Sequence, residues 1–143
     1  MNTQLRDIAT LVSRLLLSII FIQAGWGKLH NFSATQGFME SMSIPGILLP
    51  AVILLELGGG LAILLGFSTR AIAAILSVFS VVSGFIFHFD PSSSGQMIHF
   101  YKNVALAGGF LALCQIGPIK WSLDFHLRSL PIIKRKKLEV LFS

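Results

Sequence analysis

A single carboxylate, Glu56, stands near the middle of an apolar run from Ile47 to Phe67 that is long enough to cross a bilayer. An acid at that depth costs a few kcal/mol or more, so it faces a protein interior or a wet cavity and takes a partner. Arg14, Lys28, His88, His99 and Lys102 all lie in or at the ends of other apolar runs and supply candidates. Arg14 and Lys102 are expected to approach the midplane from opposite sides on their long stems, so the sequence predicts an ionised Glu56 paired with one of them. An acid held inside with bases around it can handle a polar ligand, protons or redox equivalents.

In that chemistry Lys102, Lys28 and His88 would bind a polar group, while Glu56 holds the bases in place or relays a proton. Glu56, Lys102 and His88 are therefore the expected catalytic groups. Lys28, Trp26, His99, Asn103 and Arg14 are the expected ligand-binding groups, with Gln23 and Tyr101 nearby. Bases, donors and aromatic rings together suit the carbonyls of a quinone, or an anionic sulfur or carboxyl compound. No metal is expected, because Glu56, His88 and His99 share no ligand spacing on one helix.

Each of these residues also has a plainer reading. Arg14 and Lys28 near helix ends can be snorkelling anchors, and a paired Glu56 can be interhelical glue. His88 and His99 can be interface residues. Gly58, Gly59 and Gly60 follow no strand, so they read as packing and not as a phosphate loop. Cys114 is the only cysteine, which rules out an internal disulfide and a dithiol shuttle, and leaves it as a small buried hydrophobe.

The elements that must position these groups follow from composition. The chain has 143 residues, of which 54% are hydrophobic and 12% charged, against about 25% charged in soluble domains. Windows of apolar residues give four membrane spans, 8–29, 47–67, 71–89 and 98–119, and so an all-α integral membrane four-helix bundle. Arg6 ahead of Leu15 to Ile22 imitates a secretory signal, but the segment is expected to remain as the first span. Residues 1–137 read as one domain. Leu138 to Phe142 resemble a viral protease recognition sequence, and 138–143 read as a cloning remnant.

Arg6, Arg70, Lys120, Arg128 and the run Lys134 to Lys137 fall on one side, and Lys28 and Lys102 on the other. The positive-inside rule therefore predicts both termini in the cytoplasm. The basic tail reads as a partner for anionic lipid headgroups, not nucleic acid, for which no motif is present. Residues 30–46 and 90–97 read as outer connections, and Ser68-Thr69-Arg70 as a link so short that the helices beside it form an antiparallel hairpin. Ser122 is expected to cap a short amphipathic segment with Leu123, Leu127 and Leu130 on one face, after Gly117-Pro118 ends the last span.

At about 100° per residue, each span places its ionisable group on its small-residue face. Arg14, Ser18, Gly25 and Lys28 share a face, as do Glu56, Gly59 and Gly60. His88 falls with Ser77 and Gly84, and Lys102 with Ala105 and Gly109. Small residues let helices approach closely in lipid, so the expected bundle interior is polar and tightly packed.

Several motifs carry a resemblance: Phe21-x3-Gly25-x2-Lys28-Leu29, Glu56-Leu57-Gly58-Gly59, Leu65-Gly66-x2-Thr69-Arg70, His88, Lys102-Asn103-x4-Gly108-Gly109, and Gly117-Pro118-x3-Ser122-Leu123-Asp124. In order and spacing the chain resembles the DoxX family of small four-helix bacterial inner-membrane proteins, from Arg14 to Asp124. Lys120-Trp121 departs from the pattern, where relatives more often show glycine after the proline. The resemblance implies recurring polar positions at Arg14, Lys28, Glu56, Arg70, His88, Lys102, Asn103 and Asp124. It also implies a redox setting: some members are linked to thiosulfate:quinone oxidoreductase as a membrane subunit, others to soluble or membrane partners in thiol and oxidative-stress defence. Quinone is accordingly the expected cofactor, and a small sulfur compound or a redox partner protein the expected partner. A small transporter or channel, or a membrane scaffold for other proteins, is the alternative reading.

Overall fold

Four stretches of the sequence fold into helices of spanning length in a computed structural model that describes residues 2–116 and 119–128. The elements are α1 (Thr3–His30), α2 (Phe32–Ser41), α3 (Gly46–Leu65), α4 (Thr69–His88), α5 (Ser94–Ile116) and α6 (Leu123–Arg128). At ~1.5 Å per residue the 20 residues of α3 or α4 match a hydrocarbon core of ~30 Å. No strand occurs among the described residues. The expected spans are present, and each begins earlier than hydropathy suggested, the first and last of them by a full turn. The Asn2 side chain accepts from Gln4 N at 3.3 Å and starts α1, and Ser93 starts α5 by accepting from Gln96 N at 3.4 Å.

The helices form a ring in which α1 and α4 each pack against α3 and α5. The α1–α3 crossing is very close. A Cβ added to Gly25 would lie 2.7 Å from Leu57 N, and one added to Gly60 would lie 2.9 Å from Ile22 Cγ1. Lipid offers no hydrophobic drive to join helices, so such close backbone approach supplies the dispersion contacts that hold them. The core between them is Phe21, Ile63, Ala73, Leu76, Phe110 and Leu113. Phe21 meets Phe110 edge-on at 5.3 Å and Phe79 at 6.3 Å. Ser77 Oγ donates to the Ala107 carbonyl at 3.0 Å and ties α4 to α5. Leu16, Ile47, Val78 and Ile98 point outward, where hydrocarbon takes the place of water.

Two segments depart from expectation. Residues 30–46 are not a plain connection, because α2 occupies ten of them and buries Met39 against Leu49 and Ile53, with Phe87 packed alongside. Within α3, the helix widens into a π turn over Leu54–Gly58, with Glu56 at its centre. Such single wide turns interrupt a helix locally and often mark functional positions.

The α3–α4 link is pinned from a distance. Gly66 has φ +69°, and a Cβ there would lie 2.5 Å from Ser122 Cβ, so both conformation and space demand glycine. Asp124 accepts from Ser68 N at 2.6 Å and Thr69 N at 2.8 Å, capping α4 from another part of the chain. Its own N–H donates to the Gly66 carbonyl at 2.9 Å. Ser122 caps α6 as expected, accepting from Phe125 N at 3.2 Å. The stop at Gly117-Pro118, the Leu130 face, the basic run Lys134 to Lys137 and residues 138–143 lie outside the described residues.

Candidate functional site

Between the halves of α1, α3, α4 and α5 farthest from Arg14, and beneath α2, lies a cavity of about 270 Å³. Glu56 and Lys28 sit in its wall, and Phe21, Phe38, Phe79 and Phe87 are among its apolar lining. His88, Lys102 and Asn103 complete the polar side. Five of the residues singled out from sequence are thus brought together.

The carboxylate partner differs from expectation. Lys28 Nζ lies 2.7 Å from Glu56 Oε2 and 2.9 Å from Oε1, so neither Arg14 nor Lys102 pairs with it. The cause is the α1–α3 crossing: Gly25 presses on the π turn, and Lys28, one helical turn further on, is delivered above Glu56. The Glu56 side chain is 7% exposed and that of Lys28 28% exposed, so the pair is buried on the acid side and open toward the cavity on the other. A carboxylate with an ammonium on both oxygens retains lone pairs, and the ammonium retains a proton for a ligand carbonyl.

His88 bridges the cavity and the helix end: its Nδ1 lies 2.9 Å from Gln96 Oε1, and its ring centroid is 5.2 Å from that of His99. Lys102 Nζ lies 3.3 Å from His99 Nδ1. An ammonium can only donate, so in this contact His99 Nδ1 is the acceptor. Lys102 occupies an exposed position on α5, and Ala105 is exposed too, because the inner face of that helix runs through Phe100, Ala107 and Phe110. Lys102 therefore forms part of the rim and not of the packed interior that the small-residue pattern suggested. Asn103 packs against Gly84, where a Cβ would fall 3.1 Å from its own. Beyond the end of α4, Ser92 donates to Asp90 Oδ1 from its hydroxyl at 2.6 Å and its N–H at 3.0 Å, which holds that carboxyl below the usual range.

Three expected ligand groups stand elsewhere. Arg14 is 2% exposed, yet it lies at the opposite end of the bundle, donating to the carbonyls of Ile63 at 2.9 Å, Leu64 at 2.5 Å and Trp121 at 2.9 Å. It is neither a cavity residue nor a snorkelling anchor. It donates to carbonyls in the last turn of α3, where helical donors run out, and to one that precedes α6. Among the described residues the Ile63 carbonyl is otherwise reached only by Gly66 N, at 3.1 Å. Trp26 is 57% exposed and its ring packs at 4.5 Å against His30, tilted by 48°, outside the cavity. His99 touches the rim through His88 and Lys102 without lining the cavity.

Sequence reasoning missed the contribution of α2, whose Thr35, Phe38 and Met39 close one side of the cavity. Phe38 stacks on Phe87 at 5.8 Å with 29° between the rings. A signal existed in Phe32, Thr35, Met39 and Met42, spaced at three to four residues. Among the described residues no group of three metal-binding side chains occurs.

Comparison with known proteins gives a consistent picture. The sequence profile of the DoxX family matches residues 9–89. The chain is 46% identical over 121 residues to "Inner membrane protein YqjF" of Escherichia coli, covering 85% of this chain and 93% of that protein. It is 34% identical over 126 residues to "Inner membrane protein YphA" of the same organism, covering 83% and 90% respectively. A weaker match, 28% identical over 72 residues and covering 50% of this chain and 54% of the other, is to a Bacillus subtilis protein named "Putative oxidoreductase CatD". No solved structure matches significantly.

Proposed function

The chain belongs to the DoxX family and is a multi-pass protein of the inner membrane, and on that premise we propose that it is a redox-associated membrane subunit whose cavity binds a quinone headgroup or a small sulfur anion. One observation carries the reading: a neutralised Lys28–Glu56 pair is set into an aromatic-walled cavity that also holds His88, Lys102 and Asn103. A structural ion pair alone needs no cavity around it. Mostly apolar walls with a few convergent polar groups are the usual build of a small-molecule site.

In this reading Lys28 and Asn103 donate to the ligand's oxygens, and Glu56 holds Lys28 in place. His88, with one nitrogen on Gln96 and its ring in the cavity wall, is placed to carry a proton between rim and ligand. Lys102 draws anionic or polar groups to the rim. The distribution of Lys and Arg supports cytoplasmic termini and hence an outward-facing cavity. The match to a protein named as an oxidoreductase supports the redox setting. Electrons pass between the ligand and a sulfur compound or a partner protein.

A transport role fits less well. Phe21, Phe110, Leu113 and the other core residues fill the bundle beyond the cavity, and buried Arg14 stands at the far end. A cation at that point opposes passage of protons and cations.

Titrating the purified protein with short-chain ubiquinone and menaquinone analogues and with thiosulfate tests the proposal. Saturable binding of at least one compound is expected, weakened roughly tenfold by Lys102→Met, a change at an exposed rim position. Absence of saturable binding for all three would refute it.

A further inference from the structure

The cavity is walled unevenly. Beneath it Phe21 meets Phe79 and Phe110, closing the floor. On the α3 and α4 side, α2 leans over it, with Met39 set against Leu49 and Ile53 and Phe38 stacked on Phe87. On the α1–α5 side, among the described residues, no hydrogen bond, ion pair or ring contact joins the two helices beyond Phe21 and Phe110. The two helices touch where Leu17 meets Gly109, a Cβ on which would be 3.1 Å from Leu17 Cδ2. Further toward the cavity both helices turn lining residues to it: Ile20, Ala24 and Lys28 from α1, and Leu106, Asn103 and Lys102 from α5. Ile20, Ala24, Asn103 and Leu106 are half-buried, as the lining residues Val52, Phe79 and Phe87 of the other walls are, whereas Phe21 and Phe110 just below are buried.

The shoulders of this gap face hydrocarbon. At helical spacing from the lining residues they are Leu16 and Gln23 on α1 and Ile98, His99 and Ala105 on α5, all exposed. Leu16, Ile98 and Ala105 are apolar, and the polar Gln23 and His99 lie toward the cavity end. At 270 Å³ the cavity lies just below the ~300–1,000 Å³ of sites that enclose a drug-sized ligand. It has room for one substituted ring but not for a chain attached to it. Its polar wall carries no net charge where Lys28 meets Glu56, which favours an uncharged head over an anion.

Resting on the reading of the cavity as a ligand site, we propose that the ligand enters sideways from the bilayer through the gap between α1 and α5. It is an amphiphile with an uncharged single-ring polar head, and its hydrocarbon tail remains in the gap between Ala24 and Leu106. These two small or flexible side chains then set specificity, because their bulk decides whether a tail can pass.

The full chain in nanodiscs of phosphatidylethanolamine and phosphatidylglycerol would be titrated with a benzoquinone bearing a decyl chain and with the same ring bearing methyl. The decyl compound should bind more tightly to the wild type. Ala24→Phe and Leu106→Phe should each weaken it roughly tenfold while changing the methyl compound less than about twofold. Equal loss of both compounds, or loss of neither, overturns the lateral route. A wild type that binds both rings equally also overturns the route yet leaves the ligand site standing; a wild type that binds neither ring overturns the amphiphile, and one that also fails to bind thiosulfate refutes the ligand site itself. Photo-crosslinking in the wild type needs no variant: a diazirine at the end of the decyl chain should label the α1 and α5 shoulders near Leu16 and Ala105. Labelling of Leu54 or Val78 on the far helices instead would overturn the proposal.

Discussion

Lys28 and Glu56 meet with one ammonium on both carboxylate oxygens, at 2.7 and 2.9 Å, across the close α1–α3 crossing. Such a pair has lost much of its hydration, so its two members depend on each other. Glu56→Gln or Lys28→Met alone should destabilise the protein by about 3 kcal/mol, at the low end for buried pairs because the Lys28 side chain is 28% exposed. The double variant should return to within about 1 kcal/mol of wild type, because no orphaned charge remains. Chemical denaturation in mixed micelles reads both. A double variant no better than the worse single would show that the charges do not depend on each other.

The double variant also separates function from architecture. If the pair is only glue between α1 and α3, a folded double variant should keep cellular function. If it holds a ligand, ligand titration should show binding lost in the double variant despite restored stability. Retained binding there would remove Lys28 and Glu56 from the site.

Much of this architecture is legible in the sequence, because bilayer thickness fixes helix length and hydrocarbon punishes any charge that faces it. Those two constraints locate the spans and turn Arg14, Lys28 and Glu56 inward. They do not say which base meets which acid. That depended on the Gly25 and Gly60 contacts and on the π turn, whose extra width no periodicity at 100° per residue can register. The same limit hid α2, a ten-residue helix too short to read as a span. It also hid the role of Arg14, because a long side chain near a helix end reads alike whether it snorkels or caps carbonyls in another helix.

Gly25 should tolerate no side chain. Gly25→Ala places a methyl 2.7 Å from Leu57 N, on backbone that cannot swing aside, and so forces α1 from α3 and pulls Lys28 from Glu56. Gly27→Ala on the same helix meets nothing within 4 Å and should stabilise by up to about 1 kcal/mol through helix propensity. Thermal melts of the two variants side by side check this. Equal effects would mean that the close crossing does not hold the site together.

Arg14 should not be replaceable by lysine. Its three bonds run from separate nitrogens of one planar fork to the carbonyls of Ile63, Leu64 and Trp121, and a single ammonium cannot match that spread. Arg14→Lys should cost about 2 kcal/mol by leaving at least one buried carbonyl without its donor. Ligand affinity of the folded fraction should stay unchanged, because Arg14 lies outside the cavity. A loss of affinity without loss of stability would place Arg14 in the site after all.

Asp124 joins α6 to the α3–α4 link by accepting from Ser68 N and Thr69 N, 56 and 55 residues away in sequence. Both N–H groups belong to the start of α4, where no helical carbonyl can serve them and where a negative charge also meets the positive end of the helix dipole. Asp124→Asn keeps one acceptor and loses the charge, so it should cost about 1 kcal/mol. Asp124→Ala loses both acceptors and should cost about 2 kcal/mol, the upper end for an N-cap, because the site is buried. The loss should be local. Hydrogen exchange should rise at the amides of Ser68 to Ile72 while the amides around Glu56 keep their protection. Uniform loss of protection across α3 and α4 would show instead that α6 is part of the cooperative core and not a clasp fastened to it.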